Sequence, residues 1–102
     1  MQRPAAIPTV QIDNEQVKVT EWRFPPGGET GWHRHAMYYV VVPQTTGALL
    51  LETPNGPVTS QLTAGIAYAR PVGIEHNVIN PGPTEFVFVE IELKSSGAAP
   101  AT

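Results

Sequence analysis

The sequence predicts an all-β protein, a double-sheet jelly roll, from three observations. About eight short runs of strand-forming residues follow one another at regular spacing. Eleven prolines and nine glycines are spread between these runs, as tight turns between short strands require. No segment has a helical period long enough to compete with this interpretation. A jelly roll is a natural closure for such strands, and the 102 residues can support a single core.

The N-terminal part is predicted to begin with an edge strand. Residues 1–6 are expected to be disordered, and residues 7–12 form the strand, because Pro8 is tolerated at a sheet edge but not in a central strand. Residues 17–24 follow. Their apolar parity changes before Trp22, which predicts a β-bulge or a strand that changes sheets.

The longest predicted strand covers residues 32–42. Its two faces are largely apolar beyond Arg34, so it should be covered on both sides. One cover would be the barrel interior and the other a partner subunit or a sheet. The face that carries Tyr38, together with the N-terminal strand, offers apolar surface that a small barrel cannot cover alone, which predicts a homodimer.

Five shorter strands complete the chain, at residues 48–52, 58–62, 66–70, 75–80 and 85–93. Asn55 and Gly56 form a strong hairpin signal between the first two. The core face of the last strand is assigned to Val87, Val89, Ile91 and Leu93. That assignment places Glu90 and Glu92 toward solvent. Residues 95–102 are expected to be a disordered tail.

Composition excludes several classes of protein. The net charge is −3 and the six basic residues are scattered, so no surface for nucleic acid is predicted. The absence of cysteine excludes disulfides and thiolate ligands. The N-terminus lacks a signal-like apolar run, and no segment reaches the length of a membrane span. A soluble cytoplasmic protein without a membrane partner is therefore expected.

The three histidines point to a metal site. His33 and His35 lie two residues apart in a predicted strand, so both imidazoles should leave the sheet on the same side. If the fold brings His76 opposite this pair, three neutral nitrogens meet at one point. Such a site holds a divalent metal with open positions. Imidazoles suit Fe, Ni, Zn and Cu alike, so the identity of the metal stays open.

The histidines lie in patterns that resemble the two motifs of the cupin superfamily. In the first, five residues separate Gly27 from His33, one separates His33 from His35, and Gly47 lies where the closing glycine is expected. The second is matched at every fixed position, by Gly65, Pro71, Gly73, His76 and Asn80. The resemblance implies a double-stranded β-helix over residues 7–94, with a divalent metal held inside by the three histidines. In size and motif arrangement the chain is also loosely similar to small single-domain cupins named for β-alanine degradation.

One position departs from this resemblance. In metal-binding cupins a glutamate usually follows the second histidine, with three or four residues between the two. At these positions this chain has Tyr39 or Val40. Tyr39 shares the parity of His33 and His35, so its phenol should enter the cavity as a proton donor or orienting group. Three neutral imidazoles without a carboxylate leave the full charge on the metal, which favours an anionic or chelating substrate.

These features predict an enzyme that acts on a small organic molecule. With Fe(II) the chemistry would be dioxygenation, and with Zn(II) or Ni(II) it would be that of a lyase or isomerase. Two alternatives stay open. One is a non-catalytic metal or small-ligand binding module, because the short chain leaves little loop material for a substrate lid. The other is a metal-free lyase or isomerase that uses histidine and tyrosine for acid–base chemistry.

Overall fold

The computed structural model describes residues 2–94 and contains two antiparallel sheets that enclose one cavity. The strands are β1 (Ile7–Asp13), β2 (Val17–Phe24), β3 (His33–Arg34), β4 (Tyr38–Pro43), β5 (Gly47–Thr53), β6 (Gly56–Leu62), β7 (Tyr68–Arg70), β8 (Glu75–Ile79) and β9 (Phe86–Leu93). One sheet has the order β1-β2-β9-β4-β7, and the other has the order β3-β8-β5-β6. The all-β prediction is confirmed. Within residues 2–94 there is no helix with the length and hydropathy of a membrane span. The tail at residues 95–102 lies outside the described range.

The predicted single strand over residues 32–42 is divided between the two sheets. β3 pairs with β8 in the four-stranded sheet, whereas β4 pairs with β7 and β9 in the other. The crossing segment contains His35, whose N–H donates to the Ile74 carbonyl at 2.8 Å and whose carbonyl accepts from the Gly73 N–H at 2.8 Å. The position of His35 is therefore fixed by a neighbouring loop and not by a strand.

The N-terminal expectations are met in part. β1 is the edge strand of its sheet, as predicted. The prediction of disorder for residues 1–6 is wrong for residues 4–6, because Glu29 donates to the Pro4 carbonyl and accepts from the Ala6 N–H, at 2.9 and 2.8 Å. The predicted bulge in β2 is also wrong. β2 pairs with β9 without interruption, and the register shift lies in β1 between Val10 and Ile12.

The parity change in β2 has a different cause. The side chains that face inward are apolar at one end of the barrel and polar at the other. At one end, here called the core end, the inner side chains are apolar and pack together: Phe24, Leu49, Leu62, Phe86 and Phe88. At the other, here called the mouth end, β2 and β9 point polar side chains into the cavity: Lys18, Thr20, Glu90 and Glu92. Their apolar neighbours alternate onto the outer face of the sheet: Val17, Val19, Ile91 and Leu93.

The predicted core face of the last strand is therefore wrong. The inner face of β9 carries Phe86, Phe88, Glu90 and Glu92, and Val89, Ile91 and Leu93 lie half-buried on the opposite face. Glu90 is only 8% exposed, so the expectation that it points to solvent fails. The alternation itself was right, but the assignment of its two faces was inverted.

Candidate metal centre

The three histidines converge inside the cavity, as the sequence predicts. His33 and His76 are paired neighbours on β3 and β8, and His35 reaches them from the crossing segment. The Nε2 atoms of His33 and His35 are 3.0 Å apart, and those of His35 and His76 are 3.1 Å apart. The three rings meet edge to face, with centroids 4.7 to 5.1 Å apart. One ligand nitrogen from each residue is thus directed at a common point.

Hydrogen bonding fixes which nitrogen of His33 is free. Its Nδ1 lies 2.9 Å from the Gly31 carbonyl oxygen, which can only accept. Nδ1 therefore carries the hydrogen, and the lone pair of the ring is on Nε2, which faces the other two histidines. This orientation is the one that a metal ligand requires.

The other two imidazoles are held neutral by their surroundings. Burial, together with the neighbouring histidines, lowers the pKa of His35 to about 3. Burial, together with the charges of His33 and Arg70, lowers the pKa of His76 to about 4. Both rings are unprotonated at neutral pH, so neither must lose a proton before it binds a cation.

Tyr39 enters the cavity, as its parity predicts. Its ring stacks on the imidazole of His35 with centroids 3.8 Å apart, and the residue is 2% exposed. Burial, with the nearby Glu90 carboxylate, raises the pKa of the Tyr39 phenol above its ordinary value. The hydroxyl therefore stays protonated at neutral pH, and it belongs to the ring that stacks on His35.

The fixed residues of the second motif hold this arrangement through the backbone. Gly73 has a φ of +98°, and its N–H donates to the His35 carbonyl at 2.8 Å. A side chain at Gly73 would be strained in this conformation, so the loop that holds His35 in place depends on glycine. Asn80 binds across a turn. Its side-chain amide donates to the carbonyls of Phe24, Pro25 and Thr84, at 2.8 to 3.3 Å, and its side-chain oxygen accepts from the Gly82 N–H at 3.0 Å.

The cavity around the histidines has a volume of about 1090 Å³. Both sheets contribute apolar side chains to its lining: Val41, Leu49, Leu51, Val78 and Phe88. The charged groups in its lining are both basic and acidic: Lys18, Arg34 and Arg70, and Glu75, Glu90 and Glu92. The guanidinium of Arg70 lies 4.6 Å from the ring centroid of Tyr68 and donates to the Ala69 carbonyl. The site therefore offers apolar surface and several charged groups to a small ligand.

The chain is similar to known proteins in sequence and in fold. No family model matches it. The beta-alanine degradation protein BauB of Pseudomonas aeruginosa is 63% identical over 92 residues, which cover 90% of this chain and 97% of BauB. The crystal structure of a cupin domain from Bordetella pertussis Tohama I is similar at a TM-score of 0.91 with 81% identity, over 92% of this chain and 98% of that one. The chain belongs to the cupin family.

The fold of this cupin is shared more widely than its sequence. A conserved protein with a double-stranded β-helix domain from Klebsiella pneumoniae matches at a TM-score of 0.74 and 24% identity, over 92% of this chain and 81% of that one. At this identity the likeness shows the fold alone. The predictions of a double-stranded β-helix and of a likeness to small cupins named for β-alanine degradation are confirmed.

Sequence reasoning missed a polar network behind the histidines of this cupin. The side-chain oxygen of Asn77 accepts from the Gly31 N–H at 2.9 Å. Its amide nitrogen donates to Glu29 Oε1 at 2.8 Å and to Glu52 Oε1 at 3.0 Å. Because Gly31 in turn binds His33 Nδ1, Asn77 holds the loop that orients His33. The signal in the sequence was the parity of Asn77, which must face away from the cavity when its neighbour His76 faces into it.

Glu90, which the sequence analysis assigned to the solvent face, lies near the histidines instead. One oxygen of its carboxylate lies 4.0 Å from Nδ1 of His35, the ring nitrogen remote from the centre. Burial, together with the Glu92 charge, raises the pKa of Glu90 to about 7, although Trp22 and Lys18 act in the opposite direction. His35, Glu90 and Glu92 offer ligand atoms that lie within 4.8 Å of one another, but His33 and His76 do not belong to this second group. Glu90 thus faces the centre from the opposite sheet.

Proposed function

We propose that this cupin is a metal-dependent enzyme that acts on a small anionic or chelating organic molecule. A divalent ion would bind Nε2 of His33, His35 and His76. The observation that carries the proposal is the convergence of three Nε2 atoms, with adjacent separations of 3.0 and 3.1 Å, inside a cavity of about 1090 Å³.

The donor set fits a shared cation better than hydrogen bonds alone. The lone pair of His33 Nε2 faces His35, so a hydrogen bond between them needs a hydrogen on His35 Nε2. That same hydrogen would also have to serve His76, 3.1 Å away on the other side. Two nitrogens bound at about 2.1 Å lie about 3.0 Å apart when their angle at the ion is a right angle, and about 3.4 Å when it is tetrahedral. The observed separations are those of the right-angle arrangement, which leaves positions for water and ligand oxygens.

The charge of the site supports an anionic or chelating substrate. All three ligands are imidazoles, and His35 and His76 are neutral at neutral pH. When bound, a divalent ion would act as a Lewis acid, or as a dioxygen-binding centre if it is Fe(II). Arg70, half-buried at the mouth, adds positive charge to the same cavity.

The residue proposed to carry a proton is Tyr39. Its ring is stacked on His35, and its phenol remains protonated because it is buried. A buried hydroxyl beside the reacting centre can donate a hydrogen bond to a substrate oxygen and return a proton to the product. Tyr39→Phe keeps the ring and removes the hydroxyl. This variant should therefore retain metal and lose turnover.

The name of one relative suggests where to look for a substrate. BauB of Pseudomonas aeruginosa is a beta-alanine degradation protein by name, and it is 63% identical to this chain. We therefore propose β-alanine and the three-carbon acids derived from it as the first compounds to assay.

The proposal is tested first by elemental analysis of protein produced with Fe, Ni, Zn and Cu in the medium. The wild type should hold about one divalent ion per chain, and His76→Ala should hold almost none while its circular dichroism stays native. Glu15→Gln, at an exposed turn, is the matched control and should retain the metal. Equal metal content in the wild type and His76→Ala would reject the assignment.

A second measurement separates catalysis from binding. Protein loaded with Fe(II) should consume oxygen when a substrate from this set is added, and the Zn(II) or Ni(II) forms would be assayed for lyase or isomerase products. Retained metal without turnover on any metal would favour the binding module. Activity that survives complete chelation would favour metal-free acid–base chemistry by histidine and tyrosine.

We also propose that the protein is a homodimer through the outer face of the five-stranded sheet. Apolar side chains of three neighbouring strands form a continuous row there: Val19 on β2, Ile91 on β9 and Val40 on β4. Tyr38 and Ile12, at the margins, are 40% and 47% exposed. Five strands of this length present a flat area of roughly 500 Å². The side chains that project from this plane have more accessible surface than its flat area, which brings the face toward the about 800 Å² per partner of a standard interface. A second copy offers the same apolar row and is its natural complement.

A further inference from the structure

Two carboxylates enter the cavity beside the histidine centre, and within residues 2–94 neither forms an ion pair with a lysine or an arginine. Glu90 and Glu92 are two residues apart on β9, so both point to the same face. Both line the cavity that contains His33, His35 and His76. They reach it from the five-stranded sheet, opposite the strands that carry His33 and His76. The same cavity therefore has an acidic wall facing its imidazole cluster.

Glu90 is buried without a charged partner. It is 8% exposed, and in residues 2–94 no lysine or arginine nitrogen lies within ion-pair distance of it. Its neighbours are the Trp22 indole, a neutral donor, and Nδ1 of His35 at 4.0 Å. His35 is itself neutral. A carboxylate in such a place costs free energy unless a proton or an entering cation neutralises it.

The cations of the cavity wall do not fill this role. Lys18 lines the cavity and lies directly across from Glu92 in the sheet, but it forms no ion pair within 4.0 Å in the described chain. Arg70 is turned toward the Tyr68 ring and the Ala69 carbonyl. Within residues 2–94, neither carboxylate is thus ion-paired with a lysine or an arginine.

A second metal ion suits this place less well than an organic ammonium group. If such an ion used Nδ1 of His35 while Nε2 of the same ring binds the first metal, the neutral imidazole would have to lose its one N–H proton and become an imidazolate. An ammonium group instead has three hydrogens to donate, and two carboxylates with four oxygens can accept them. The Glu90 carboxylate lies 4.0 Å from Nδ1 of His35, and Nε2 is on the far side of the same ring. A chain of a few carbon atoms spans the distance from the carboxylate to the three Nε2 atoms.

We propose that the ligand of this cavity is a short molecule with a protonated amino group at one end, which Glu90 and Glu92 bind, and an anionic or chelating oxygen at the other end, which faces the three histidines. The proposal rests on the proposed function for the oxygen end and adds the residues that recognise the amino end.

The test is calorimetric titration of the metal-loaded protein at pH 8 with two probes that differ only in the amino group, 3-aminopropanoate and propanoate. The wild type should bind 3-aminopropanoate at least about ten-fold more tightly, the size expected of charge-assisted hydrogen bonds. Glu90→Gln and Glu92→Gln should each reduce this ratio, and the double variant should bring it close to one. Both variants should keep their metal. Glu15→Gln should behave as the wild type.

Three outcomes would overturn the inference, and they are distinguishable from failure of the proposed function. If propanoate binds as tightly as 3-aminopropanoate to metal-loaded wild type, the amino subsite does not exist although the metal centre does. If the ratio persists in the double variant, other residues recognise the amine. If the wild type holds two metal ions per chain and Glu90→Gln holds one, the carboxylates bind a cation of a different kind. Absence of any metal from the wild type would instead reject the proposed function itself.

Discussion

The core end and the mouth end of this barrel obey opposite patterns although they share the same strands. At the core end β2 and β9 point Phe24, Phe86 and Phe88 inward, as in any closed sandwich. At the mouth end the same strands point Glu90 and its polar neighbours inward and carry valine, isoleucine and leucine outward. Along one strand, the polar side chains can therefore change from the outer face to the inner face. In this barrel the change occurs where the interior is a cavity and where, as we propose, the exterior is a dimer interface.

The largest effect is expected when the core end is emptied. Phe24 is fully buried, and its ring lies 5.4 Å from that of Phe88. Phe24→Ala should lower the free energy of unfolding by about 3–5 kcal/mol, because it removes a large apolar side chain and leaves a cavity. Urea denaturation of the metal-free protein measures this. Phe24→Leu should lose less.

The control for this substitution is Ile66→Ala, which truncates an apolar residue that is 64% exposed. It should change the free energy of unfolding by less than about 0.5 kcal/mol. If Phe24→Ala and Ile66→Ala proved equally mild, the core end would not be the part of the barrel that holds the fold together.

The second effect concerns the outer face of the mouth end. Ile91 lies at the centre of the apolar row that we propose as the dimer interface. Ile91→Asp would bury a charge between two copies, which should weaken the dimer by about 3 kcal/mol, or roughly a hundred-fold in dissociation constant. Sedimentation equilibrium measures the change. Thr59→Asp, on the exposed strand β6, is the matched control. A wild-type protein that stays monomeric at high concentration would contradict the interpretation of this face.

The third effect concerns the inner face of the mouth end and depends on pH. Glu90 has a pKa of about 7 in the folded chain and an ordinary value of 4.5. Between these values the folded state holds a proton that the unfolded state has lost, so the stability that the protonated Glu90 contributes falls as pH rises from about 4.5 through about 7. Glu90→Gln removes this dependence.

The stability of the metal-free wild type should therefore fall relative to that of Glu90→Gln as the pH rises, by about 3 kcal/mol between pH 4.5 and pH 8. Denaturation of both proteins across this range, with chelator present, measures the difference. A pH-independent difference between the wild type and Glu90→Gln would mean that Glu90 titrates normally and is not desolvated.

The smallest effect is expected behind the metal centre, where Asn77 holds the Gly31 loop that orients His33. Asn77→Ala should weaken metal binding about ten-fold, as is usual when a partner of a metal ligand is removed. Competition with a chelator of known affinity measures this. Asn14→Ala removes another amide that accepts from backbone N–H groups, at a turn remote from the site. It should alter stability without changing metal affinity. Equal metal affinity in both variants would show that the Asn77 network serves stability alone.

Much of the fold could be predicted because its signals are local. The Asn55-Gly56 hairpin between β5 and β6, the glycine turns and the edge position of Pro8 each follow from the backbone preference of a single residue. The three histidines could be predicted for a related reason. Their spacing fits two motifs, and the backbone contacts of Gly73 and Asn80 hold those motifs in place.

The inward-facing side of β9 at the mouth end could not be predicted from the sequence. Alternation of apolar and polar residues assigns side chains to two faces, but it does not show which face points into the barrel. Val89 and Ile91 look like core residues in a single chain, and only the tertiary fold shows that the cavity lies on the side of Glu90. His35 gives a second example. Its predicted side was right, but it reaches the centre from a crossing between sheets, because the contacts that fix it come from residues 73 and 74, nearly forty positions away.

Anomalous diffraction from crystals of the metal-loaded protein would show whether the three imidazoles share one ion. Data on both sides of the absorption edge of the ion would locate and identify it. We expect one anomalous peak per chain, at about 2.1 Å from each of the Nε2 atoms of His33, His35 and His76. A fully occupied peak elsewhere, or none between these nitrogens in protein that contains metal by elemental analysis, would contradict it.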